Sequence, residues 1–166
     1  MPRSISLGML LALFAGSIIL SSITSIQAEA ALTPAQNESN YINLTNKMWS
    51  LYSEDLLYSS NILNAYTKNN ISSREALSAT ISVFVLNSQT TSAITEAIAG
   101  AKPPAKYAKY HNSTVAAISS LQDYLLSLAK FYETGNIEYA VAARNLFNES
   151  IEHHDEAIEA AILMKH

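Results

Sequence analysis

Apolar residues recur along this chain at three- and four-residue steps, and that period predicts helix almost throughout. Tyr41, Leu44, Met48, Leu51, Tyr58, Ile62 and Ala65 fall on one helical face, and Trp49, Tyr52, Leu56 and Leu63 widen it. The spacing predicts a first helix over 34–68. Thr33 suits the N-cap, Pro34 the first turn and Gln36 the capping-box position. The Asn69-Asn70 pair then reads as a turn.

A second helix is predicted over 73–99. Ser72 and Glu75 have capping-box spacing, and Gly100 is the expected left-handed stop. This segment carries no charge from Ala76 to Thr95. Its centre, Asn87-Ser88-Gln89-Thr90-Thr91-Ser92, is too polar for lipid. A helix buried among neighbours, with hydroxyls in tight contacts, fits better.

Pro103-Pro104 opens a third helix, predicted over 104–133. Its stripe is Tyr107, His111, Thr114, Ile118, Leu121, Leu125, Leu128 and Tyr132, and Gly135 ends it. Asn136 caps a fourth helix, predicted over 137–164, with Ile137, Val141, Phe147, Ile151, Ile158 and Ile162 as its expected core face. Long helices joined by short turns must be antiparallel neighbours. The fold class is therefore all-α, an up-down-up-down antiparallel four-helix bundle, ~40–50 Å long at ~1.5 Å per residue.

Residues 1–30 have another grammar. Arg3 precedes an apolar run from Ile5 to about Leu20, and Ala28-Glu29-Ala30 follows. Charged start, apolar middle and small residues around a cleavage point make a secretory signal helix. Cleavage after Ala30 is expected, leaving a secreted or extracytoplasmic bundle over 31–166. The alternative is an uncleaved anchor, in which residues 5–20 would be the membrane contact.

Composition narrows the function classes. The chain has no cysteine, so neither a thiol nucleophile nor a disulfide framework is available. Setting aside Arg3 and Glu29, the bundle keeps the chain's excess of four acidic over basic residues. That balance, without a basic run, argues against nucleic acid. No serine sits in Gly-x-Ser-x-Gly, and no Gly-rich phosphate loop exists. No cofactor and no catalytic residue is expected. Five Asn-x-Ser/Thr sequons, at Asn37, Asn43, Asn70, Asn112 and Asn148, are glycosylation candidates in an exported protein.

Three groupings merit a structural test. Glu149, Glu152, Glu156 and Glu159 form an acidic stripe on the fourth helix, read as a solvated face. Within it Glu149, His153 and Glu156 stand at i, i+4 and i+7 and could converge on a metal ion. Di-iron spacing fails, because Ser150 and Ile151 stand where Glu-x-x-His needs glutamates. The second grouping is polar residues on apolar stripes: Asp55, His111, Arg144 and His154. Measured from the end where the first helix finishes, Asp55 is ~20 Å down, Asn87 ~22 Å, His154 ~26 Å and His111 ~33 Å. These levels nearly coincide, predicting a polar layer that sets register or, alternatively, a ligand-binding pocket of Asp55, His111 and His154. The third is tyrosine: Tyr107, Tyr110, Tyr124, Tyr132 and Tyr139 read as core-boundary residues or as a binding strip.

The resulting expectation is a non-enzymatic exported bundle that binds a protein partner in the cell envelope. The alternative is an extracytoplasmic bundle that holds a small ligand or metal ion in its polar layer.

Overall fold

The computed structural model describes residues 34–101 and 103–164. The expected signal segment, its expected cleavage point and the expected N-cap Thr33 lie outside the described residues. Those described form four long helices and no strand: α1 Pro34–Thr67, α2 Ser73–Ala101, α3 Ala108–Thr134 and α4 Ile137–Leu163. A 3-10 turn, Ala105–Tyr107, leads into α3.

The turns follow their local chemistry. Asn69 takes a left-handed φ of 56°. The Asn70 amide then reaches back to the Ala65 carbonyl at 2.9 Å, closing the last turn of α1. The capping box forms as expected: the Ser72 amide donates to Glu75 Oε2 at 2.8 Å and the Glu75 amide to Ser72 Oγ at 3.3 Å. Gly135 ends α3 with a φ of 69°, and Asn136 accepts from the Glu138 amide at 3.0 Å. Gly100 is the exception. It does not stop α2, which continues through it to Ala101. Pro103-Pro104, whose rings lack backbone donors, lie outside any helix.

Side-chain pairings give the order around the bundle. Ser73 bonds to Tyr66 and Asn87 to Asp55, running α2 against α1. Ser150 bonds to the Ala117 carbonyl and Glu156 to Ser113, running α4 against α3. Tyr41 packs on Tyr107 and Tyr66 on Tyr132, so α1 and α3 run parallel across the short diagonal. The helices alternate up and down. The core holds Tyr41, Met48, Tyr52 and Ile62 of α1, Val83, Ile94 and Ile98 of α2, and Ile118, Leu121, Leu125, Leu128 and Tyr132 of α3. Every expected stripe residue of α3 is buried except His111, which is half-buried. Among the described residues no helix is long and apolar enough to cross a membrane, α2 included.

On α4 the expected core face is wrong. Ile137 is 66% exposed and Ile162 53%, Val141 and Ile158 are exposed too, and Phe147 and Ile151 are half-buried. Arg144, placed on that stripe, is exposed. The buried residues are Ala143, Ser150, Ala157 and Ala160. Ser150 meets Ala117 of α3, and Ser113 and Ser120 beside it on that helix are also buried. Small side chains on both helices let the backbones approach until Ser150 Oγ donates to the Ala117 carbonyl at 2.7 Å. Size, not hydrophobicity, selected this face.

Candidate functional site

The α1–α4 joint is built the opposite way from α3–α4. Large rings of α1 span the gap to small residues of α4. Ser150 is fully buried, with Oγ 3.0 Å from Tyr52 Oη, and the tyrosine hydroxyl also reaches the Ser150 carbonyl at 3.3 Å. His154, one turn on, stacks on Tyr52 with ring centroids 5.5 Å apart and meets Trp49 edge-on at 4.9 Å. Trp49 Nε1 donates to Tyr110 Oη at 2.9 Å, tying α1 to α3. Beside this cluster lies a groove of about 350 Å³ lined by Trp49, Tyr110, His154, Ile158, Ala161 and Ile162. The sequence reading missed it. Its signals were present as Trp49 and Tyr52 on the margin of the α1 stripe, with Ser150 and Ala161 opposite.

The polar layer divides among separate partners. Asp55 is 5% exposed and accepts a hydrogen bond from the Asn87 side chain, itself buried. Burial pushes the Asp55 carboxyl up to about 7, with the Asn87 amide opposing that rise and neighbouring Glu54 adding to it. Neither imidazole bonds to Asp55 among the described residues. His154 belongs to the α1–α4 joint, and its Nδ1 lies 3.3 Å from Oδ1 of the next residue, Asp155. His111 sits by Tyr41 with rings 6.0 Å apart, and burial lowers its pKa. The level estimate had Asn87 nearest to Asp55. A buried carboxylate took the amide on the adjacent helix in preference to a more distant imidazole.

Glu149, His153 and Glu156 do gather. His153 Nδ1 lies 3.0 Å from Glu156 Oε2, and Nε2 lies 4.0 Å from Glu149 Oε1. The two carboxylates therefore occupy opposite edges of one ring and share no point at which an ion could meet all three. Ser113 donates to the same Glu156 oxygen at 3.3 Å, and the His153 contact lowers the Glu156 pKa first, the Ser113 bond further. The cluster clips α4 to α3. Among the described residues no group of three His, Asp or Glu side chains is placed to hold a metal ion. Of the acidic stripe, Glu149, Glu152 and Glu159 are exposed and Glu156 is partly covered.

At the end where α1 begins, Lys106 Nζ lies 2.7 Å from Glu38 Oε1, and Tyr107 Oη donates to the same oxygen at 2.6 Å. Both contacts hold the Glu38 carboxyl below its ordinary range, the lysine foremost. The tyrosines form no surface strip: Tyr107, Tyr124 and Tyr132 are buried, while Tyr110 and Tyr139 are half-buried. Among the sequons, Asn43, Asn70, Asn112 and Asn148 are exposed and Asn37 is half-buried.

Comparison with known proteins finds no family model, no curated protein and no solved structure that matches the chain.

Proposed function

We propose that this chain is an exported, non-enzymatic binding protein: its signal segment is removed after Ala30, and the bundle docks a protein partner in the cell envelope. The observation that carries this reading is the outer face of α2. Ile81, Val85 and Leu86 are 46%, 45% and 55% exposed on a helix without charge from Ala76 to Thr95. Grouped apolar residues on a solvent face mark interaction surfaces more often than single ones do. A charged partner would lose hydration there and gain no counter-ion. The fitting partner presents an uncharged, apolar helix face. Glycans on the exposed sequons Asn43, Asn70 and Asn112 would leave this face open, since none of these residues is on α2.

The alternative reading, a small ligand or metal ion in the polar layer, has less support. Asp55 and Asn87 already satisfy each other, and the three residues proposed to bind a ligand go to different neighbours.

The test is capture from the envelope fraction with the exported protein as bait, compared between wild type and Val85→Glu. Val85 is exposed, so the variant should fold as judged by circular dichroism. We expect one or more partners to be held by the wild type and lost at least tenfold with the variant. Equal capture by both would sink the α2 reading.

A further inference from the structure

The misplaced stripe on α4 has a pattern of its own. Ile137, Val141, Arg144, Asn148, Ile151, Asp155, Ile158 and Ile162 alternate steps of four and three over the whole helix. That is the 3.5-residue seam by which two helices pair. On a wheel of 100° per residue the seam lies roughly 130° round the helix from the buried Ala143, Ser150 and Ala157, the middle one of which bonds to α3. Seven of its eight residues are exposed and Ile151 is half-buried.

The seam is self-complementary in one orientation. When two copies lie antiparallel about a two-fold axis between Asn148 and Ile151, Ile137 meets Ile162 and Val141 meets Ile158. Arg144 then faces Asp155, and the symmetry makes that pair twice. Parallel in-register pairing would set Arg144 against Arg144 and Asp155 against Asp155. Arg144 makes no ion pair among the described residues, and the Asp155 side chain is 70% exposed with the His154 ring 3.3 Å from its carboxylate. One flank of the seam, Ala140, Phe147, His154 and Ala161, is apolar or aromatic and runs into the Trp49 groove, which Ile158 and Ile162 also line. The other flank, Glu138, Glu152 and Glu159, is acidic on both copies and opposes association. That opposition keeps the contact weak and sets the burden of register on Arg144 and Asp155.

The geometry points to a second copy of this chain as the occupant of the outer α4 face, paired antiparallel through two Arg144–Asp155 contacts. This inference is independent of the envelope partner, since it uses α4 and not α2. The two readings can fail separately.

The test is analytical ultracentrifugation of the exported protein, with circular dichroism to verify the fold of each variant. The wild type should dimerise at about 100 µM, and Arg144→Asp and Asp155→Arg should each weaken the dimer at least tenfold by setting like charges together. An equimolar mixture of the two single variants should recover a dimer, because each then supplies the charge the other lacks. The double variant R144D/D155R should recover it alone. A wild type that stays monomeric to about 1 mM overturns the inference. So do single variants that dimerise like the wild type, and so does failure of both the mixture and the double variant to recover.

Discussion

Asp55 shows how one residue sets the pH response of the fold. Its carboxyl sits at about 7 in the folded chain against 3.8 for a free side chain. Between those values the folded protein keeps a proton that the unfolded chain has lost. Unfolding therefore releases a proton, and stability falls as pH rises across that window. Above about 7 the folded state carries the full cost of a buried charge. Asp55→Asn keeps a partner for Asn87 and removes the charge. In urea titrations we expect it to exceed the wild type by on the order of 1–3 kcal/mol at pH 8, and the gain to shrink toward zero near pH 4. A gain that is the same at both pH values would mean that the carboxyl is not titrating in this window. The burial of Asp55 was legible from its place between Leu51 and Tyr58. Its partner was not, because periodicity locates a side chain on its own helix and leaves open which neighbour it will meet.

Among the elements, α3 and α4 separate what hydrophobic periodicity can show from what it cannot. On α3 the stripe residues Ile118, Leu121, Leu125, Leu128 and Tyr132 are all buried, and Leu126, off the stripe, is 41% exposed. On α4 they part, since burial went to Ala143, Ser150, Ala157 and Ala160. A reading weighted by hydrophobicity discounts alanine and serine, yet only they allow the backbones to close on each other. The turns were legible wherever a residue had a single conformational role, as with Gly135 and Asn136. Gly100 was not, because glycine permits a stop without compelling one. The α4 geometry makes a paired forecast. Ala157→Leu should destabilise by about 1–3 kcal/mol, since the added carbons have no room at the α3 contact. Val141→Ala, in dilute protein, should cost no more than about 0.5 kcal/mol although it removes a larger apolar group. Chemical denaturation of the two variants decides it, and the opposite ranking would restore the isoleucine face to the core.

Across the whole molecule the four helices are joined unevenly. The α3–α4 contact is backbone-close and clipped by the Ser150–Ala117 and Ser113–Glu156 bonds. The α1–α4 contact rests on the rings of Trp49 and Tyr52 reaching across to His154 and Ser150. A joint made by a few long side chains opens with less loss than one made along two backbones. Trp49 is the chain's sole tryptophan, and it stands in that joint. The protein thus carries an optical reporter at its weakest seam. Excitation at wavelengths that indole absorbs and the nine tyrosines do not reads the surroundings of Trp49, His154 of α4 and Tyr110 of α3, whereas far-ultraviolet dichroism reads all four helices together. On gradual addition of denaturant, Trp49 emission should shift to longer wavelength before helical ellipticity is lost. If both signals change in one coincident transition, the bundle opens as a single unit and the uneven joints do not matter to its cooperativity. If they separate, the same emission shift becomes a measure of when the surroundings of Trp49, built from His154 of α4 and Tyr110 of α3, come apart.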